Sequence, residues 1–238
     1  GAAAVKVTSV VDKTKVDDLR TDTTGDITVD SISDNKTNLG LVNAFTDVSL
    51  AAANISVTDV VTLAQANTIH AYNTAAGTTV TLSSVSDAFS NVETLQGTAG
   101  VVMGGATITT TTAEAVTKAN VTDLNNFTTA KVTVTSVQDS RSNVSDIAAI
   151  NNAEVDMSAA AVTITDAVTL AQANTDVGNL NSLTTGKVTL NSVEDTYDNI
   201  QAIKLISDDD VDMGAAAVKV TSVVDKTKVD DLRTDTTG

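Results

Sequence analysis

Four times the chain spells S-[IV]-x-D-x-x-x-N, which pairs Asp34 with Asn38, Asp87 with Asn91, Asp139 with Asn143, and Asp195 with Asn199. Side chains in this pattern support one of two chemistries. In the first, the Asp caps the following helix, accepting from its exposed N–H groups and complementing its dipole, while the Asn ties a loop backbone to the next repeat. In the second, both offer oxygen to a hard cation, so that the ladder holds Ca2+. A denser acidic grouping precedes two methionines: Glu154 and Asp156 before Met157, and Asp208, Asp209, Asp210 and Asp212 before Met213. Carboxylates this close repel one another unless they are solvated or neutralised, so a solvated acidic turn and a Ca2+ site are the two readings. The spacing matches neither the EF-hand loop nor the glycine-rich nonapeptide of calcium β-rolls.

Other chemistry is thinly provided for. There is no Cys and only one His, which removes thiolate zinc sites, cysteine nucleophiles and multi-histidine metal centres. His70 has no repeated partner and reads as a surface or edge residue. Ser and Thr abound without a nucleophile elbow or phosphate loop around them. Five aromatic residues hardly furnish the platforms a glycosidase needs beside its carboxylates. The expectation is that the chain is not an enzyme. With 30 acidic and 14 basic residues, a formal charge of -16 repels phosphate backbones and excludes nucleic acid as a partner. No apolar run approaches the roughly 18 residues of a membrane span, so no membrane insertion is expected.

The acids are also unevenly chosen, because 26 of the 30 are Asp. Asp suits caps, turns and oxygen-ligand loops better than helix interiors, which places the acids where elements begin and end.

Those elements recur. Residues 1–25, GAAAVKVTSVVDKTKVDDLRTDTTG, return unchanged as residues 214–238, an offset of 213. Residues 1–213 therefore read as one block and 214–238 as the start of the next identical block of a longer array. Inside the block, V-x-V-type segments begin at Val5, Ile27, Ile55, Val80, Ile108, Val132, Val162 and Val188, dividing it into eight units of about 27 residues. The units alternate. Those at Ile55 and Val162 continue into VTLAQANT, whereas those at Ile27, Val80, Val132 and Val188 carry the Asp–Asn element, so that the larger repeat is a pair.

Each unit opens with a β-branched segment of period two, such as Lys131-Val132-Thr133-Val134-Thr135, which is the strand signature. Apolar residues at every third position follow: Leu39, Val42, Phe45; Val121, Leu124, Phe127; Val144, Ile147, Ile150; Val177, Leu180, Leu183; Ile200, Ile203, Ile206. They make one stripe of a short α or 3₁₀ helix. Small or turn-forming residues close the unit, as in Thr23-Thr24-Gly25 and Thr184-Thr185-Gly186. A single strand and helix cannot bury both apolar faces alone, so the pattern predicts an α/β solenoid of about eight stacked strand-plus-short-helix coils with a parallel sheet on one side. An all-β right-handed parallel β-helix is the alternative, and a non-solenoid α/β domain a third. The leading reading places the eight strand-opening residues in one continuous interior row.

VTLAQAN and the Thr/Asp-rich strands resemble tandem-repeat regions of very large bacterial cell-surface or secreted proteins, the adhesin-like and S-layer-like arrays. The resemblance implies an extracellular or cell-surface location, many tandem copies, often bound Ca2+, and a structural or adhesive role. The function expected is a structural repeat module of an extracellular fibre, sheath, adhesin stalk or surface array, whose partner is itself. The alternative is a module that binds a glycan, mineral or ice surface through the Thr-lined face of the sheet, where Thr8, Thr28, Thr58 and Thr133 follow early strand positions.

Overall fold

The computed structural model describes residues 2–150, 154–172, 184–206 and 211–236. Strands and helices alternate along it, and every strand pairing among these residues that has a defined register is parallel. The chain divides into two compact units, residues 1–109 with 126–131 and residues 110–125 with 132–238.

In the first unit, the β-branched segments form β1 (Val5–Val7), β2 (Ile27–Val29), β3 (Ser31–Asp34), β4 (Val48–Ser49), β5 (Asn54–Val61), β6 (Val80–Asp87) and β7 (Val101–Val102). Alternation decides which side chains face inward. β5 buries Ile55, Val57 and Val61 while Asn54, Thr58 and Val60 stay exposed. Removing each Val, Leu or Ile from water contributes about 1.5–3 kcal/mol, so these rows supply most of the stabilisation.

The second unit repeats the plan with β9 (Val132–Thr133), β10 (Ser136–Asp139), β11 (Val155–Asp156), β12 (Ala161–Val168), β13 (Val188–Asp195), β14 (Val211–Asp212) and β15 (Ala217–Val220); β8 (Thr107–Thr110) precedes them in the chain.

The single interior row expected from the sequence does not form. Val5 pairs with Ile27, but Ile27 is continued by Val48; Ile55 lies instead between Ile32 and Val80. In the second unit Val162 lies between Val137 and Val188, and Val188 is continued by Val211. The cause is a device in the intervening repeats that the strand pattern concealed. Each first lays down a two-residue strand, β4, β7, β11 or β14, and then makes a tight turn. In that turn the N–H of Ala53, Ala106, Ala160 or Ala216 donates to the carbonyl of Leu50, Met103, Met157 or Met213. The long strand that follows therefore starts beside the second half of its predecessor. β12 then pairs with β13 along both halves, Val162 with Val188 and Val168 with Val193, with a register shift between Ile164 and Ala167. Each pair of repeats thus moves the sheet sideways by half a strand. The seven later residues of the expected row are nevertheless buried; Val5 is half-buried.

The described helices are α1 (Lys13–Asp22), α2 (Lys36–Asn43), α3 (Leu63–His70), α4 (Phe89–Gln96), α5 (Lys118–Phe127), α6 (Arg141–Ala149), α7 (Leu170–Gln172), α8 (Tyr197–Ile206) and α9 (Lys226–Asp235); they carry the described three-spaced apolar residues except Phe45 and Ile150, which fall just past the ends of α2 and α6. Leu39 and Val42, Val121 and Leu124, Val144 and Ile147, and Ile200 and Ile203 are all buried. The stripe at Val177, Leu180 and Leu183 lies outside the described residues.

The repeated string VTLAQANT has a local explanation. The Thr62 hydroxyl accepts from the Gln65 N–H while the Gln65 amide oxygen accepts from the Thr62 N–H, a reciprocal capping box that starts α3. Thr169 and Gln172 make the same pair at α7.

Candidate functional site at the seams between repeats

The Asp of each Asp–Asn element stands one residue before the helix cap, so it does not cap its own helix. Asn35 and Ser140 fill that position for α2 and α6. The Asp reaches back to the repeat before it. Asp34 Oδ2 accepts from the Lys13 N–H at 2.9 Å, Asp87 from Leu63 at 2.9 Å, Asp139 from Lys118 at 2.8 Å, and Asp195 from Leu170 at 2.8 Å. These are the first residues of α1, α3, α5 and α7, whose N–H groups have no partner inside the helix.

The other carboxylate oxygen is held locally. Asp139 Oδ1 accepts from the Ser140 N–H at 2.7 Å and from Asn143 Nδ2 at 2.8 Å, and the remaining three elements repeat this arrangement. The Asn therefore fixes the carboxylate, where the sequence reading had it tie a loop to the next repeat. Each carboxylate faces hydrogen-bond donors, and no second acid is needed to explain it.

Two more acids play the same part and escaped the sequence motif. Asp59 accepts from the Lys36 N–H at 2.8 Å, and Asp166 from the Arg141 N–H at 2.7 Å; Ser222 Oγ takes the N–H of Tyr197. The signal was available in the shared T-D before VTLAQANT, at Asp59 and Asp166.

A second seam is built on threonine. The buried hydroxyls of Thr23, Thr128 and Thr184 donate to the carbonyls of Ala3, Ala106 and Ala160 at 2.6–2.7 Å and accept from the N–H two residues on. Thr236 likewise donates to Ala216. Asn73 takes this place in the longer loop before β6, donating to the Ala53 carbonyl, and its Oδ1 is buried without a protein partner. Thr128-Thr129-Ala130 was not singled out in the sequence, and the Thr-Thr-Gly closings at residues 23–25 and 184–186 were read only as turns. Their Gly also permits close approach: a Cβ on Gly25 would stand 2.4 Å from the Ala3 carbonyl oxygen, and one on Gly186 2.2 Å from that of Ala160.

The acidic grouping is placed only in part. Asp208, Asp209 and Asp210 lie outside the described residues. Asp212 accepts from the Gly214 N–H and is paired with Lys187 Nζ at 2.5 Å; Asp156 accepts from the Ser158 N–H at 2.9 Å, and Glu154 is exposed. Among the described residues no three acidic or histidine side chains converge in a way that could hold a metal ion. His70 ends α3 half-buried, against Gly100.

The outward positions beside the interior row are mixed: Ser33, Ser56, Thr81 and Val102 in the first unit, Gln138, Thr163, Thr189 and Asp212 in the second. Thr28 stands between Lys6 and Ser49. The early-strand threonines thus do not form an unbroken threonine row in either set.

Burial works to raise Asp34, Asp87, Asp139 and Asp195, but the hydrogen bonds just described outweigh it and hold each carboxyl below the ordinary aspartate range. A folded pKa below the unfolded value of about 3.9 gives a contribution that is full above that pH and is lost as pH falls through the folded values. The melting temperature, followed by circular dichroism in about 0.5 M salt to screen the general repulsion of the acidic chain, should be level from pH 7 to 5 and fall below about pH 4. A melting temperature that rises continuously on acidification would contradict this account of the seams.

No helix among the described residues is long and apolar enough to cross a membrane. Comparison with protein-family models, with curated proteins and with solved structures returns no match to this chain.

Proposed function

We propose that each unit is a run of stacked α/β solenoid coils, and that the chain is a structural repeat module of an extracellular fibre, sheath, adhesin stalk or surface array. It acts by extension and self-association, with no catalytic role. One observation carries the reading. The polar side chains that recur most regularly, the Asp–Asn pairs, Asp59 and Asp166, and the seam threonines, bind the backbone of an adjacent repeat. Their periodicity serves cohesion between repeats, which an extended array needs and a single active site does not.

Calcium would enter through Asp208, Asp209 and Asp210, as the sequence reading has it. Millimolar Ca2+ would then raise the melting temperature by binding the folded state alone, and equal curves with Ca2+ and with chelator would remove it from the account.

Electron microscopy of the purified chain and of its native material tests the reading as a whole. Filaments or a lattice with a repeat set by the 213-residue block are expected. Isolated particles that coat a glycan or mineral surface without assembling would instead favour the surface-binding reading.

A further inference from the structure

A repeat protein reuses its structural side chains, so a residue that occurs once asks for another explanation. Such residues gather at the end of α3. The two VTLAQANT strings are continued differently, by Ile69-His70-Ala71-Tyr72-Asn73 after the first and by Asp176-Val177-Gly178-Asn179-Leu180 after the second. His70 is the single histidine of the chain.

The seam at Asn73 departs from its counterparts at a cost to stability. At Thr128 and Thr184 the seam hydroxyl donates to an alanine carbonyl and accepts from the N–H two residues on. At Asn73 the N–H two residues on, that of Ala75, donates instead to the Ala51 carbonyl at 2.8 Å. Asn73 Nδ2 still donates to the Ala53 carbonyl at 3.2 Å, but its Oδ1 is buried with no protein partner, and the residue is only 6% exposed. A buried acceptor without a donor is destabilising, and local rules of this kind are broken most often where a protein has a function to serve.

The backbone around Asn73 is exceptional as well. Gly77 and Gly100 are the two residues with positive φ among the described residues, both at 85°. Each is the third residue of a tight turn, closed by the Thr78 N–H on the Ala75 carbonyl and by the Val101 N–H on the Thr98 carbonyl. The turns are neighbours: a Cβ on Gly100 would stand 3.4 Å from the Thr78 carbonyl oxygen and 2.9 Å from His70 Nε2. The imidazole thus lies against Gly100, and its ring nitrogens have no hydrogen-bond partner among the described residues. His70, Asn73, Gly77 and Gly100 line one cleft of about 480 Å3.

We infer that this cleft binds a neutral saccharide unit. Its walls carry no Lys, Arg, Asp or Glu, so a cation finds no counter-charge there, and the acidic chain as a whole repels anions. What the walls offer is an imidazole, an amide, threonine hydroxyls and the small surfaces of alanine and glycine. A sugar matches both parts, with hydroxyls that donate or accept as the partner requires and C–H faces that lie flat on small side chains. The imidazole takes one hydroxyl directly. Asn73 Oδ1 is closed to solvent and takes another through one bridging water. The inference goes beyond the structural-module reading and stands without it, because the cleft lies within one unit and needs no assembly.

The single histidine supplies the reporter, since the C–H protons of one imidazole give their own lines in a proton NMR spectrum. The full chain is titrated at constant pH with glucose, galactose, mannose and N-acetylglucosamine. N-methylacetamide serves as a neutral control without hydroxyls, and sodium acetate as an anion. At least one sugar should move the His70 lines saturably in the millimolar range, as expected of a ligand with few polar contacts, and neither control should. Ala76→Glu and Ala99→Glu, both at exposed cleft positions, should each weaken that sugar about tenfold or more by placing a charge in the cleft, with the melting temperature unchanged. In His70→Ala, saturation transfer from protein to sugar protons should fall several-fold. No saturable shift with any of the sugars, an equal shift with either control, or a shift that survives both glutamate variants overturns the inference. Filaments without sugar binding reject the cleft alone, and sugar binding without filaments or lattice supports the cleft while counting against the fibre.

Discussion

Val132→Asp should lower the free energy of unfolding by about 4 kcal/mol or more, which is enough to unfold the repeats around it. Val132 is fully buried in β9, pairs with Val155, and donates its N–H to the Glu154 carbonyl at 2.7 Å. A carboxylate there would face only apolar neighbours, because the N–H groups of the strand are already committed to the ladder. Its options are to ionise without a partner or to take up a proton, and both cost several kcal/mol. The control is Thr133→Asn at the next, half-buried position, where a change within about 1 kcal/mol is expected. Denaturant titration followed by circular dichroism measures both. Comparable losses for the two variants would show that Val132 does not face the interior.

Asp139→Ala should cost about 3 kcal/mol, close to the upper end for a hydrogen-bonding group, because it strands three donors at once: the N–H groups of Lys118 and Ser140 and the Asn143 amide. Asp139→Asn separates the contributions. Its amide oxygen can take the place that receives Ser140 and Asn143, but its NH2 then confronts the Lys118 N–H, so that N–H at the start of α5 stays without an acceptor and a loss of about 1–2 kcal/mol remains. Asp146 offers the contrasting case. It pairs with the Lys118 ammonium at 2.5 Å but is exposed, and Asp146→Ala should change stability by less than about 1 kcal/mol. If Asp139→Ala and Asp146→Ala prove equally mild, the inter-repeat cap is not a stabilising element.

The legible part of this fold is the part written in side-chain spacing. Val188, Leu190 and Val193 announce a strand with one apolar face, and Ile200 and Ile203 a helix with one buried stripe, because burial selects side chains at the period of the backbone. The pairing partner of each half-strand was not legible. Val48–Ser49 and Val211–Asp212 are two residues long, too short to show any period, yet they decide that Ile27 is followed by Val48 and Val188 by Val211. The Asp–Asn elements divide along the same line. The motif marked Asp139 and Asn143 as a recurring pair, but not that they bond to each other, and the third member of the site is the backbone N–H of Lys118, which every residue except proline carries. A partner with no distinguishing side chain leaves no trace in the sequence, and this is also why the threonine seam on the alanine carbonyls passed as a set of turns.

The direction in which the caps reach has a consequence during synthesis. Each helix start that is capped from another repeat receives that cap from a residue 21 to 25 positions later in the chain. On the ribosome, where the N-terminal part emerges first, a newly exposed helix therefore waits with its first amide unsatisfied until most of one further repeat has been translated. Structure formation should trail the growing end by one repeat and advance in steps of that size. Arrest of translation within a repeat would leave a single unfinished helix at the tail, with every earlier one already locked.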